Sequence, residues 1–372
     1  MKFQDVIGQE EVKAELRKEV LAGKIAHAQL FSGTAGYGSL PMALAFAQFL
    51  FCQNRNENDS CGTCPSCIRV NEMQHPDLHF VFPVVLAAHK ISDNALVDWR
   101  EQLKETPYFS LYSWTKRIDS RERKPLIGTE ESKEIIRKLN LKSFEGGDKV
   151  MIIWMAEEMN ADCSNKLLKI LEEPPANTYF LLVSENPDKL LVTIQSRTQK
   201  VRIPKISTDE LSFFLSQKFN LVRTEADSAA AFSEGDYLRS LEFLNASEDK
   251  NIYREQFIQL MRTSYKKDVL GMMDWADNMS SESKEKQKLF IIYALHMFRQ
   301  SILSNYVGES MTRVSEEEEK FLKNFAPFIS GNNIREFQET FDNAYYHIDR
   351  NANARILFTQ LCFQAMRFIH VA

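Results

Sequence analysis

Gly33-Thr34-Ala35-Gly36-Tyr37-Gly38-Ser39-Leu40 has the frame of a phosphate-binding loop and lacks the two side chains that make such a loop work. In a working G-x-x-x-x-G-K-[ST] loop, backbone N–H groups and the following helix N-terminus cradle phosphates, the Lys neutralises their charge, and the hydroxyl ligates Mg²⁺. Here Ser39 stands at the Lys position and Leu40 at the hydroxyl position. The flanks keep the required order: residues 28–32 (Ala-Gln-Leu-Phe-Ser) read as a short buried strand, and the apolar stretch 40–47 reads as the helix that follows the loop. Gly33, Gly36 and Gly38 are therefore the candidate cofactor-contacting residues of a degenerate loop that is expected to hold no ATP.

The other constellation with chemistry in it is Cys52-x8-Cys61-x2-Cys64-x2-Cys67. Four thiolates at these separations can close a tetrahedral site, and Gly62 and Pro65 supply the tight turns between ligands. A closed four-thiolate site leaves no position for water, so the expectation is a structural zinc; a redox pair or disulfides are the alternatives, which a reducing compartment disfavours. Cys163 and Cys362 lie alone in apolar helical patterns. His75, Asp77 and His79 are read as the polar ends of a strand over residues 75–83, with metal binding as the competing reading.

The chain has 372 residues, 44% of them hydrophobic, enough for a large core in two or three domains. Its net charge of −5 excludes a global basic field that would hold nucleic acid unaided. No apolar run approaches the ~20 residues that span a bilayer, and residues 1–5 carry no signal-peptide core, so a cytoplasmic protein with no membrane contact is expected.

Further residues carry a resemblance to a known family. Phe3-Gln4-Asp5-Val6-Ile7-Gly8-Gln9, His27-Ala28-Gln29-Leu30-Phe31-Ser32-Gly33, the four cysteines after the loop helix, His75-Pro76-Asp77, and Asn165-Lys166-Leu167-Leu168-Lys169-Ile170-Leu171-Glu172-Glu173-Pro174-Pro175 together resemble the AAA+ clamp-loader family of bacterial DNA polymerase III. The resemblance implies an α/β fold: an AAA+ P-loop parallel-sheet core with a zinc knuckle, a small helical lid domain and an all-α C-terminal collar. The corresponding domains are residues 1–205 (zinc module 52–67, an irregular insert at about 84–129), 206–249 and 250–372.

Aligned on residues 165–175, the family's Asp-Glu pair that serves Mg²⁺ and the attacking water falls on Trp154 and Met155. Glu157 and Glu158 fall in the following turn as solvated charges. Ser184 falls near the first sensor position, Leu238 takes the place of the second-sensor Arg, and Arg239 is displaced by one residue, about 100° round a helix. The segment Gln195-Ser196-Arg197-Thr198 is similar to the family's S-R-C motif, whose Arg enters the nucleotide site of the adjacent subunit.

The implied role is a non-hydrolysing stator subunit in DNA replication. It would have no ATPase of its own and would offer Arg197 as a finger in trans to a neighbouring ATPase subunit while the complex loads a sliding clamp on primed DNA. Its partners would be the loader's ATPase subunits and delta subunit, with clamp and DNA met through the assembly. The rival readings are an ATP-hydrolysing gamma/tau-type subunit and a zinc-dependent nucleic-acid-binding module. Within the insert, the aromatics of residues 107–114 are read as packing on their own domain, with base stacking beside Lys116, Arg117, Arg121, Arg123 and Lys124 as the alternative.

Overall fold

The computed structural model of the chain describes residues 1–144, 147–245, 250–306 and 316–371. Residues 246–249 of the expected lid and residues 307–315 and 372 of the expected collar lie outside the described residues. Two compact units are present, Met1–Leu238 and Arg239–Ala372.

In the first unit the elements run α1 (Glu10–Leu21), β1 (Ala28–Ser32), α2 (Ser39–Phe51), α3 (Pro65–Asn71), β2 (Leu78–Val81), α4 (Leu96–Glu105), α5 (Leu111–Ile118) and α6 (Thr129–Asn140). They continue with β3 (Lys149–Trp154), α7 (Ala161–Glu172), β4 (Thr178–Ser184), α8 (Val192–Gln195), β5 (Gln199–Arg202), α9 (Thr208–Phe219), α10 (Arg223–Ser233) and the start of α11 (Tyr237–Asn245). The five strands form one parallel sheet in the order β2-β3-β4-β1-β5. Parallel strands are covered on both faces, which is why β3 reads as an unbroken apolar run with all six residues buried.

Alternation along the strands divides the core. Phe31, Val150, Ile152, Trp154, Leu181 and Val183 face one cluster with α2 and the α4–α5 region. Leu30, Met151, Ile153, Phe180 and Leu182 face the other, with Ile135 and Leu139 of α6, Cys163, Leu167 and Leu171 of α7 and Ile194 of α8. Helix α2 is apolar all round and buried from Ser39 to Leu50, as a helix packed on every side must be.

Within the insert the sequence suggests a helix at residues 94–99 and irregular chain at 107–114; the helix is present over residues 96–105, but residues 111–118 are helical as well, and Ser110 caps α5 by accepting the Ser113 amide at 3.2 Å. Their aromatics pack inward: Trp99 stacks on Phe82 (4.2 Å, 11°) and meets Phe109, Trp114 and Trp154 at 5.2–5.5 Å between ring centroids. Tertiary packing thus organises residues 111–118, whose own periodicity is too short to announce a helix. The predicted strand at residues 75–83 is shorter, Leu78–Val81, because the His75 ring is stacked on Phe51 (4.0 Å) and Asp77 accepts from Ser143 Oγ (3.0 Å) and the Phe144 amide (2.9 Å).

The second unit is helical throughout its described residues. After the end of α11 it comprises α12 (Lys250–Lys266), α13 (Val269–Ser281), α14 (Lys284–Tyr306), α15 (Glu316–Phe325), α16 (Ile334–Asp349) and α17 (Ala354–Phe368). Its core is rich in aromatics, with Phe298 packed on Phe337 (4.6 Å) and Phe341 (4.9 Å). Lys288 is buried among α11, α14 and α16, paired with Glu242 (3.0 Å) and Asp349 (3.2 Å) and lying 4.7 Å from the Tyr345 ring. A buried ammonium persists only when partnered in this way.

The sheet and the insert share one aromatic core, so removing Trp99, which is 0% exposed, empties a space that rigid neighbours cannot close. Trp99→Ala is expected to cost about 3–5 kcal/mol of stability. Chemical denaturation followed by tryptophan fluorescence would register it as a lowered midpoint.

Candidate functional site

The glycine loop leaves β1 at the carboxyl edge of the sheet, where parallel α/β folds gather ligands. Three of its amides have acceptors within the chain. The Gly33 amide donates to Ser184 O (3.1 Å), the Tyr37 amide to Thr34 O (2.9 Å) and the Gly38 amide to Ala35 O (3.2 Å), closing a one-turn 3₁₀ helix at residues 35–37. Gly38 then adopts φ 98°, a left-handed conformation that glycine takes without a Cβ penalty, and opens α2.

Ser39 does not reach outward as a Lys would: it is buried, and its hydroxyl donates to Gly33 O at 3.0 Å. Leu40 is buried in the core cluster. The loop therefore offers neither a side-chain cation nor a metal-binding hydroxyl, and the three amides named above already have acceptors within the chain.

The two positions after β3 are equally changed. Trp154 meets Phe109 at 4.9 Å and Trp99 at 5.2 Å, and Met155 is fully buried with φ 54°. The left-handed Met155 begins a 3₁₀ turn, Ala156–Glu158, and here one expectation is corrected. Glu157 and Glu158 are not solvated charges: Glu157 Oε1 accepts the amides of Glu185 (2.9 Å) and Asn186 (3.0 Å) just past β4, and Glu158 is 8% exposed. These amides follow Ser184, whose buried hydroxyl lies at the predicted first-sensor position. Glu157 ties the end of β4 to the end of β3.

Arg197 lies just beyond α8 at the surface. Its guanidinium is paired with Glu172 of the 165–175 segment at 2.6 Å, and Nη1 donates to Thr193 O at 3.0 Å. Exposed pairs of this kind contribute ~0–1 kcal/mol, so a stronger anion can displace the carboxylate. Arg239 belongs to the second unit, pairing with Asp342 at 3.3 Å and lying 4.8 Å from the Tyr345 ring.

The basic residues of the insert are largely engaged. Arg117 pairs with Glu105 (2.7 Å) and Glu101 (3.1 Å), and Arg123 with Asp119 (2.9 Å). With the aromatics buried and these charges matched, the insert presents no base-stacking platform through Trp99, Phe109 or Trp114.

The four clustered cysteines come together: Cys52, Cys61, Cys64 and Cys67 have their sulfurs within 4.8 Å of one another, and among the described residues they are the group placed to hold a metal ion. Cys61 Sγ and Cys67 Sγ are 3.9 Å apart, against the ~3.8 Å separating thiolates that surround one tetrahedral ion at ~2.3 Å. Backbone amides face the sulfurs: Cys61 N to Cys52 Sγ (3.2 Å), Cys64 N to Cys61 Sγ (3.3 Å) and Cys67 N to Cys64 Sγ (3.5 Å). Cys61 is lowered to about 6, first by the Thr63 amide and then by that of Cys64, whereas burial raises Cys52 and Cys67. Burial likewise pushes the lone Cys163 and Cys362 up to about 12. His75, Asp77 and His79 form no such group; His79 is pushed down to about 4, chiefly by burial.

Sequence reasoning did not single out Tyr108 and Asp236, which both reach the glycine loop. The ring of Tyr108 lies against Gly38 and the carboxylate of Asp236 against Gly36. Their residue types gave no signal; only the closeness of the glycines could have hinted that something packs on them.

Residues 8–207 match the family described as DNA polymerase III, delta subunit. The chain belongs to that family. Among its relatives, the delta' subunit of Bacillus subtilis (strain 168) is 31% identical over 192 residues, 50% of this chain and 46% of that protein. The delta' subunit of Escherichia coli (strain K12) is 30% identical over 176 residues, 47% of this chain and 42% of that protein. The tau subunit of Salmonella typhimurium (strain LT2) is 28% identical over 218 residues, 59% of this chain and 28% of that protein. The chain thus spans less than half the length of these relatives. The clamp-loader resemblance read from the motifs agrees with these matches, and the parallel sheet carries its glycine loop directly after β1. No helix among the described residues is long and apolar enough to cross a membrane.

The thiol cluster generates a direct test. Titration of reduced protein with Co²⁺ is expected to saturate at one equivalent with thiolate charge-transfer absorption, and Cys64→Ser should weaken binding and lose that band.

Proposed function

We propose that this chain is the non-hydrolysing, delta'-type stator subunit of a DNA polymerase III clamp loader. The observation that carries the reading is the Ser39 hydroxyl bonded back to Gly33 O, in a loop whose Gly33, Tyr37 and Gly38 amides are taken up internally. Phosphoryl transfer depends on positioning and on charge stabilisation by a cation, a metal ion and oriented donors. Ser39, Leu40, Trp154 and Met155 supply none of these at the four positions where the family's working members supply them. That loss disfavours the tau-type, ATP-hydrolysing reading even though tau subunits are among the relatives.

In this reading Arg197 acts in trans. A surface guanidinium restrained by Thr193 O and Glu172 is presented for a bidentate contact with an incoming phosphate, which a Lys ammonium could not reproduce. Its partners are the loader's ATPase subunits and delta subunit, with the sliding clamp and primed DNA engaged through the assembly in the cytoplasm. In this reading residues 206–249 are the lid and residues 250–372 the collar.

The thiol cluster fits structural zinc: Cys52, Cys61, Cys64 and Cys67 would hold it, and a closed thiolate site contributes folding free energy rather than Lewis-acid chemistry. Separate contacts would carry that order to the chain's beginning. Asp59, inside the cysteine loop, accepts the Phe3 (3.1 Å) and Gln4 (3.0 Å) amides, and Arg17 donates to Asn58 O (2.9 Å).

The test is reconstitution with the cognate loader subunits. Calorimetry of the isolated chain with MgATP is expected to give no micromolar binding. Arg197→Ala should assemble normally yet lower the complex's DNA-stimulated ATPase; fingers in related chemistry are worth ~10³–10⁵ in rate, and less is expected where one of several sites borrows this residue. Equal ATPase and clamp loading with equal assembly would rule out the finger role.

A further inference from the structure

The helical segment from Ile206 to Leu238 is held on the glycine loop by the chain's own side chains. Asp236, 7% exposed, packs so closely that a Cβ on Gly36 would lie 1.8 Å from its Oδ1. Tyr108, from the insert, accepts the Ile7 amide at its hydroxyl (3.0 Å), and a Cβ on Gly38 would lie 3.1 Å from that same oxygen. Its ring meets Tyr237 edge-on at 5.0 Å. Tyr237 in turn is anchored in α9, receiving the Lys218 ammonium on its hydroxyl (3.0 Å) and the Phe214 ring at 5.6 Å.

Two further contacts act in the same sense. The Glu210 carboxylate of α9 lies against Gly8, 2.7 Å from where a Cβ would stand, and Gln9 Nε2 donates to Tyr37 O (3.2 Å) and to Pro204 O. Gly235 makes the closure possible: at φ +87° its carbonyl accepts the Ile206 amide (3.1 Å), and a Cβ there would come 2.2 Å from Ile206 O. Four parts of the first unit, the N-terminal box, the glycine loop, the insert and the helical segment, therefore meet at Tyr108, Asp236 and Tyr237.

We propose that these three residues form a built-in latch that keeps the segment 206–238 closed on the glycine loop with no ligand between them. Tyr108 supplies the aromatic body and Asp236 the anion, so the bridge from loop to helical segment is covalently part of the chain and does not come and go with a nucleotide. A buried tyrosine satisfied by one amide and one ring, and a carboxylate seated on a glycine, leave no room for a bound group at those contacts. The inference deepens the stator reading and rests on it only in that no nucleotide is bound.

Hydrogen–deuterium exchange on the full chain tests it, with wild type, Tyr108→Ala, Asp236→Ala and Tyr108→Phe compared with and without MgATP. Both alanine variants are expected to raise exchange across α9 and α10 by ~10-fold or more, the signature of sub-global opening, while β1, β3 and β4 stay protected. Tyr108→Phe keeps the ring and should free chiefly the Ile7 amide. Should Tyr108→Ala also expose the strands, Asp236→Ala, which removes no core residue, decides the matter. Unchanged α9 and α10 exchange in Asp236→Ala, with wild type indifferent to MgATP, would overturn the latch alone. Wild-type exchange that falls when MgATP is added would overturn both the latch and the non-binding reading.

Discussion

A backbone amide donates one good hydrogen bond, and the direction of that bond after β1 governs everything this protein can do at its sheet edge. In the turn at residues 33–38 the Gly33, Tyr37 and Gly38 amides already have carbonyl acceptors within the chain, and the Ser39 hydroxyl adds a fourth internal bond. A phosphate arriving there would find these amides already paired and no lysine to offset its charge. The strands keep the parallel order β2-β3-β4-β1-β5, and the loop at the end of β1 carries Ser39 and Leu40 where a working loop has a lysine and a hydroxyl.

The end of β3 is filled by packing. Two carboxylates at the end of β3 would carry a large desolvation cost without a metal ion to neutralise them. Trp154 and Met155 avoid it and join the core that Trp99, Phe109 and Trp114 build from the insert. Buried apolar area stabilises at roughly 25 cal/mol per Å², and each tryptophan brings a large share of it. The insert is therefore a core element. Its charges are matched on its own surface by Glu101, Glu105 and Asp119.

At the other side of α2, the cysteine cluster and the N-terminal box are connected through Asp59 and Asn58. Order imposed by a metal ion on a loop of otherwise polar sequence would thus pass to Phe3–Asp5 and on to Ile7, whose amide meets Tyr108.

What the sequence alone determined is what local pattern encodes. The strand at Ala28–Ser32, the glycine loop, the helix that follows it and the gathering of four thiols all follow from residue spacing and turn chemistry within short windows, and the structure has each of them. The motif resemblance likewise identified the family. Only the tertiary structure decided that residues 111–118, read as irregular, form a helix, that Glu157 holds the end of β4 and is not solvated, and that Glu172 is the partner of Arg197. It alone brought Tyr108 and Asp236 onto Gly38 and Gly36. Those contacts join residues far apart along the chain, and a tyrosine or an aspartate carries no periodicity that names its distant partner. Burial and hydrogen-bond satisfaction choose that partner only once the sheet and its helices are assembled.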